Sequence, residues 1–540
     1  MKKRVYEGIA ASGGKALGVI FENKKPSDEV DDSLGHSSEE RGRFYRAINA
    51  AKAELISLAE EAKGAIGEKE SEIFLIHSLF LEDEDFLAAA ERALAATHTA
   101  EYALIVARDF GTAALRATGD GMMMARCDDL CDVASRVMAH LRGGGEKKLP
   151  EEAFLYLSRD IMPSDLVHLS ESECVGIVLS EGSLQSHAAI LANALSLPML
   201  IGVGEVATAL GERGLLDCDG GSLTLSPDDE AERSFFLWQK GRKMRERELS
   251  RYRDATYHYP SGRRLTVAAN IGSFAECERA LSVGAEGIGL FRSEFLFMER
   301  ERMPSEEEQF SLYREIIKAV SPHFAVIRVL DVGADKIPKW MDLPKEKNPV
   351  LGLRGIRLLD DYPELFRAQF RALLRASVEG ELVILLPMIV AKSEVLRVKK
   401  ELATLADTLV SEGYSVGKYK LGVMIETPSA ALIADELAEV SEYFSIGSND
   451  LYQYTMAIDR ENPRTALYAE RHPPALLKLI AHTVEVAHQK GIKASLCGAL
   501  AGDLTLTRWL LDTEIDVLSL SPSAILPIRE KVAEYLKNEP

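Results

Sequence analysis

The spacing of apolar positions changes period several times along the chain. Residues 1–20 are β-like, with a small-residue turn at Ser12-Gly13-Gly14. From about Ser37 to Arg142 apolar residues recur at helical spacing, as in RFYRAINAAKAELISLAEEAK, SEIFLIHSLFLEDEDFLAAAERAL and CDDLCDVASRVMAHL. The GGG at 143–145 ends this helical block. Residues 151–226 return to short strands, EAFLYLS, CVGIVLS, LPMLIGV and SLTLS. Asp228 to Arg253 is rich in charge and helix formers and predicts a connecting helix. An α/β module interrupted by a helical insertion is therefore expected, followed by a linker helix.

Beyond the linker, β-branched apolar runs recur as LTVAAN, GIGLF, AVIRVL, LVILLP, GVMIE, YFSIG, KASLC and DVLSLS, with amphipathic segments between them. Eight buried parallel strands alternating with helices predict a C-terminal (β/α)8 TIM-type barrel, so the fold class is α/β multidomain. Arg292, Arg328, Asp331, Glu426, Asn449, Asp450 and Cys497 fall at or just past the C-terminal ends of these runs, with Arg460 close behind. That end of such a barrel is where chemistry is done. Two carboxylates (Glu426 and Asp450), an amide and a guanidinium in this arrangement suit a divalent cation gripping a phosphorylated anion.

Each cluster also has a structural reading. Arg292 beside Glu294 would alone be an ion pair. Arg328, Asp331, Asp335 and Lys336 would form a salt-bridged loop, and Arg354 and Arg357 a solvated helix face. Several arginines converging on one barrel mouth weigh against these readings, because their mutual repulsion calls for a bound anion. In the α/β module, CVGIVLSEGSLQSHAAILANAL ends a strand at Ser180 and places His187 at the start of an alanine-rich helix, with Ser186 as N-cap. A helix N-terminus disfavours imidazolium and welcomes a negative group on the ring, the setting of a phosphate-carrying nucleophilic His.

Composition narrows the partners. With 46% hydrophobic and 27% charged residues, the 540-residue chain has room for two to four domains. A net charge of -20 argues against nucleic acid or an anionic membrane as the main partner. No apolar run reaches membrane-spanning length, and MKKRVYEGIA lacks the apolar core of a signal peptide, so cytoplasmic residence is expected. The six cysteines are scattered and read as reduced thiols; Cys127 and Cys131 have no second Cys/His pair at metal-ligand spacing.

The opening GIAASGGKALG, the insertion segment IFLIHSLFLEDEDF, GSLQSHAAILA, and the barrel motifs AEGIGLFRSEFLFMER, IETPSAALIADEL, GSNDLYQYTMAIDR and SLCGALAGD resemble the Enzyme I family of the bacterial phosphoenolpyruvate:sugar phosphotransferase system over nearly the whole chain. The resemblance implies a phosphohistidine domain at 1–20 and 146–227, an insertion at 21–145 that binds the phosphocarrier protein HPr, a linker at 228–257 and a phosphoenolpyruvate-binding barrel at 258–540. It implies phosphoenolpyruvate bound by Arg292, Arg328, Asn449, Asp450 and Arg460, Mg²⁺ held by Glu426 and Asp450, attack by His187, and protonation of the enolate by Cys497 to give pyruvate. His187 would then pass its phosphoryl group to HPr, whose docking would use Glu82, Asp83, Glu84 and Asp85 with Phe74, Leu79 and Phe80. A homodimer through the barrel is implied as well.

The chain departs from the family pattern at Leu184, Gln185 and Ala188 around the His, at Ser293, at Ala499 after Cys497-Gly498, and at Gly13 in the opening turn. Two other readings stand beside this one. One is a catalytically weak regulatory relative that binds the phosphocarrier. The other is a pyruvate phosphate dikinase or phosphoenolpyruvate synthase fragment, which the lack of a nucleotide-binding module ahead of the His domain disfavours.

Overall fold

The computed structural model describes residues 3–22, 37–66, 75–117, 121–143, 149–161, 163–170, 172–184, 186–195, 197–208, 211–298, 300, 302–333, 337–344, 346–459, 462 and 464–536. Contacts divide the chain into two compact units, Met1–Arg242 and Lys243–Pro540. Among the described residues no helix is long and apolar enough to cross a membrane.

In the first unit the strands are β1 (Arg4–Glu7), β2 (Ile9–Ser12), β3 (Lys15–Glu22), β4 (Phe154–Ser158), β5 (Cys174–Leu179), β6 (Met199–Ile201), β7 (Arg213–Asp217) and β8 (Ser222–Leu225). They form one sheet in the order β1-β8-β7-β3-β4-β5-β6-β2. The parallel centre, β3 to β6, carries the apolar runs, because strands covered on both faces exclude polar side chains. The expected turn at residues 13 and 14 separates β2 from β3, whereas β7 and the helix Pro163–Ser170 were not among the expected elements.

The helical stretch 37–142 resolves into several helices, with Ser37–Ile66, Glu84–Ala95, Ala100–Ala117 and Gly121–Leu141 among the described ones. Phe44, Leu55, Phe86, Leu104 and Val137 from these helices join Phe154, Ile177 and Met199 from the sheet in one continuous apolar core. Sequence periodicity alone could not reveal this sharing of a core. The predicted connecting helix runs Asp229–Ser250 and buries only Phe235.

The second unit opens with β9 (Tyr257–His258) and closes eight parallel strands into a barrel. They are β10 (Arg264–Ile271), β11 (Gly287–Arg292), β12 (Phe324–Arg328), β13 (Glu381–Leu386), β14 (Tyr419–Ile425), β15 (Tyr443–Gly447), β16 (Lys493–Cys497) and β17 (Val517–Leu520). These are the eight apolar runs of the sequence. Pairing of β10 with both β11 and β17 completes the ring.

Arg529 ties the last helix, Pro522–Leu536, to the start of this barrel. Its side chain is 1% exposed, pairs with Glu286 at 2.8 Å, and donates to the carbonyls of Ala255 and Gly284. The Arg529 carbonyl accepts from the Tyr257 hydroxyl at 2.9 Å. Arg529→Met leaves the carbonyls of Tyr252, Ala255 and Gly284 without this donor, while the half-buried Glu286 carboxylate keeps Arg264. The barrel's urea unfolding transition is expected to lose about 2–4 kcal/mol.

Candidate active site

Strand ends place the predicted residues around one mouth. Arg292 and Arg328 are the last residues of β11 and β12, Glu426 lies one residue past β14, and Cys497 ends β16. Asn449 and Asp450 fall in the first turn of the helix Ser448–Met456, which follows β15 directly. All six line a cavity of about 150 Å³, together with Glu294, Asp331 and Arg354.

Most of the positive charge here is answered by the protein itself. Arg328 donates from Nη2 to Glu294 at 2.7 Å, and its Nη1 lies 2.8 Å from Asp331 Oδ2. Arg354 makes a bidentate pair with Asp331, both bonds at 3.0 Å, and reaches Asp450 at 2.8 Å. These contacts differ from two of the structural readings weighed in the sequence. Glu294 pairs with Arg328 and not with its sequence neighbour Arg292, because the chain turns after β11. Arg354 is not on a solvated helix face: it is extended and buried just before the 3-10 turn Gly355–Leu359. Arg357 is turned away and ties the carbonyls of Leu351 and Gly352.

Repulsion among the arginines therefore does not by itself demand an anion, since carboxylates already offset Arg328 and Arg354. Arg292 is the exception. It has no carboxylate partner among the described residues and stacks 4.8 Å over the Phe295 ring. Among the described residues, the buried Nε atoms of Arg292 and Arg328 are both without a hydrogen-bond partner. Such atoms are costly to leave dry unless a ligand meets them.

Glu426 is fully buried. Its Oε1 accepts from the backbone N–H of Met388 at 2.7 Å, while its Oε2 has no hydrogen-bond partner among the described residues. Met388 holds a left-handed conformation (φ 58°), a strain at a residue whose backbone aims the carboxylate. Burial, together with the charges of Asp331 and Asp450, pushes the Glu426 carboxyl up to about 8. A buried carboxylate with an unfilled oxygen beside a second carboxylate fits a divalent cation, although no group of three or more such ligands occurs among the described residues.

Asn449 is oriented by its Oδ1, which accepts from the Ala499 N–H at 3.0 Å and leaves the amide N–H groups for a ligand. This contact needs Gly498: a Cβ there would sit 2.4 Å from Ser448 Oγ and 2.9 Å from Asn449 Oδ1. The exposed Ala499 thus contributes through its backbone. Cys497 is buried beneath the cavity, with Sγ 3.4 Å from the Ile446 carbonyl and 3.5 Å from the Ser445 hydroxyl. Burial pushes its thiol up to about 11, so it stays protonated at neutral pH.

In the first unit His187 begins the helix His187–Ala194, and Ser186 is its N-cap, accepting from the Ala189 N–H at 3.2 Å, as predicted. Ala188, where the family has a hydroxyl, is buried in the apolar core with Leu191 and Ala192. Leu184 is 53% exposed. Gln185, Asp335, Lys336, Arg460 and Phe74 lie outside the described residues. In the insertion, Leu79 is exposed and Phe80 half-buried, while Asp83 caps the helix Glu84–Ala95 and Glu82 pairs with Lys52.

The chain matches three domain families: the PEP-utilising enzyme N-terminal domain over residues 7–126, the mobile domain over 152–221 and the PEP-binding domain over 246–536. It is 35% identical over 547 residues to a phosphoenolpyruvate-protein phosphotransferase of Staphylococcus carnosus, covering 100% of this chain and 95% of that protein. It is 34% identical to the protein of that name from Bacillus subtilis, covering 99% and 95%. With a barrel that gathers its polar residues at one mouth and a match spanning both units, the chain belongs to the family of phosphoenolpyruvate-protein phosphotransferases.

Proposed function

We propose that the protein moves the phosphoryl group of phosphoenolpyruvate to His187 and then to a histidine of the phosphocarrier HPr, releasing pyruvate, as the first step of sugar uptake by the phosphotransferase system in the cytoplasm. The observation that carries this reading is the set of unsatisfied groups converging on one cavity. The Nε atoms of Arg292 and Arg328 and the Oε2 atoms of Glu294 and Glu426 meet no hydrogen-bond partner among the described residues, and the thiol of Cys497 lies below.

Arg292, Arg328 and the Asn449 amide meet the phosphate and carboxylate of the substrate, with Arg460 completing the set. Glu426 and Asp450 would hold one Mg²⁺, which when bound offsets charge on the transferring phosphoryl group. A neutral His187 nitrogen attacks phosphorus in line. The bond to the enol oxygen breaks as the P–N bond forms, and the guanidiniums stabilise the charge that develops. Cys497 then gives its proton to C3 of the enolate, and the thiolate regains a proton from water. The two half-reactions use groups carried on different units, so the helix Asp229–Ser250 serves as the hinge between them.

In this reading, residues 1–20 and 146–227 form the phosphohistidine domain and 21–145 the docking insertion; 228–257 is the linker and 258–540 the barrel, through which the protein dimerises. Leu79 and Phe80, with the exposed acids Glu82 to Asp85, supply apolar contact and steering toward a basic carrier.

Mass spectrometry after mixing the protein with phosphoenolpyruvate and Mg²⁺ tests the reading. An acid-labile phosphate on the His187 peptide, absent from His187→Ala, is expected together with released pyruvate. A wild-type protein that binds phosphoenolpyruvate but forms no phosphohistidine would point to a catalytically weak relative. Cys497→Ala is expected to slow pyruvate formation by about 10²–10⁴-fold in rapid-quench measurements, with substrate affinity nearly unchanged. A loss of affinity alone would assign the thiol to packing.

A further inference from the structure

The two arginines facing the cavity from β11 and β12 are not held by an unbroken ladder. Ile288 pairs with Ala325 and Phe291 with Ile327, so three steps on one strand span two on the other. Such a bulge loosens the register just where Arg292 and Arg328 must be placed.

Buried side chains take over beyond it. The Ser293 hydroxyl, one residue past Arg292, donates to the Arg328 carbonyl at 2.6 Å. Gln369, on the helix Pro363–Ala376, donates from Nε2 to Ser293 Oγ at 3.1 Å and to the Tyr313 hydroxyl at 3.0 Å. Its Oε1 accepts from the Leu330 N–H at 2.9 Å, two residues past Arg328. The Tyr313 hydroxyl donates onward to Gln309 Oε1 at 3.3 Å, and Gln309 donates to the Pro304 carbonyl at 3.0 Å. Ser293, Tyr313, Gln309 and Gln369 are all fully buried. Beside the direct Ser293–Arg328 bond, Gln369 bonds to a residue just past each strand, Ser293 after β11 and Leu330 after β12.

We propose that Gln369 is a positioning residue for the phosphoenolpyruvate site, stapling the ends of β11 and β12 so that the Arg292 and Arg328 guanidiniums keep the separation that grips the anion. The inference rests on the function proposed above. An apolar side chain of similar volume would fill the space equally well but could not bridge Ser293 and Leu330, so the polar bridge is the feature that bears on the site. Misplacing such groups by a fraction of an ångström weakens anion binding without touching either arginine.

The test compares full-length wild type, Gln369→Leu, Ser293→Ala, Ser293→Thr and the Gln369→Leu/Ser293→Ala double variant. KM and kcat for phosphoenolpyruvate-dependent labelling of His187 are measured, with phosphoryl exchange between His187 and the carrier as the control that does not use the barrel mouth. Gln369→Leu is expected to raise KM about tenfold or more with kcat within about threefold, and to leave exchange unchanged. Ser293→Ala is expected to act in the same direction, Ser293→Thr to behave as wild type, and the double variant to add little to the worse single change. An unchanged KM in folded Gln369→Leu, whatever its thermal stability, would overturn the proposal. Should that variant fail to fold, an unchanged KM in Ser293→Ala would do the same. If wild type itself is not labelled, the functional reading fails on its own, and the inference is decided by calorimetric phosphoenolpyruvate affinities of wild type and Gln369→Leu, equal values overturning it.

Discussion

Asp331 accepts from two guanidiniums at once, and the barrel mouth is organised around that sharing. Through it, Arg328 and Arg354 stand side by side in a nearly dry site, with Glu294 on one flank and Asp450 on the other. Burying so many charges is favourable only when each meets an opposite charge in good geometry. The alternating web meets that condition and fixes the positions of side chains drawn from several strand ends.

The web is not balanced, and the imbalance bears on function. Its described lining holds four carboxylates, Glu294, Asp331, Glu426 and Asp450, against three guanidiniums, Arg292, Arg328 and Arg354. Glu294 and Glu426 each keep a buried oxygen without a hydrogen-bond partner among the described residues, and burial raises Glu426 toward the protonated form. A proton or a cation at that point restores balance. Arg292, without a carboxylate partner among the described residues, leaves a positive centre for an anion. A site short of one cation and one anion suits a cation-assisted reaction of a phosphorylated acid. The thiol of Cys497 sits beneath, kept protonated by the same burial.

The barrel was legible because its strands are short, continuous apolar runs that only burial on both faces explains, and because polar residues follow each run. The Ser186 cap and the start of the helix at His187 were legible for a local reason: capping depends on residues three apart. The partners of Arg354 were not legible, because Asp331 and Asp450 lie 23 and 96 positions away. The spacing of Arg354 from Arg357 left a solvated helix face as the structural reading, whereas only Arg357 lies in the 3-10 turn Gly355–Leu359. That Glu294 pairs with Arg328 was hidden for a related reason, since adjacency in sequence says nothing once the chain turns. The strained Met388 N–H that orients Glu426 left no sequence signal, because methionine carries no preference for positive φ. The glutamine that ties β11 to β12 was equally silent, lying within an amphipathic helix.

The claim that Glu426 is a protonated, cation-ready carboxylate can be measured directly by calorimetric titration of Mn²⁺ in two buffers of different ionisation enthalpy. Because the carboxyl sits near 8 without a cation, binding below that pH must displace its proton, and above it no proton is left to release. The account predicts release of close to one proton per Mn²⁺ at pH 6.5, an apparent affinity that rises about tenfold per pH unit and levels off above pH 8, and loss of both features in Glu426→Gln. Binding that is independent of pH, or that survives unchanged in Glu426→Gln, would contradict it.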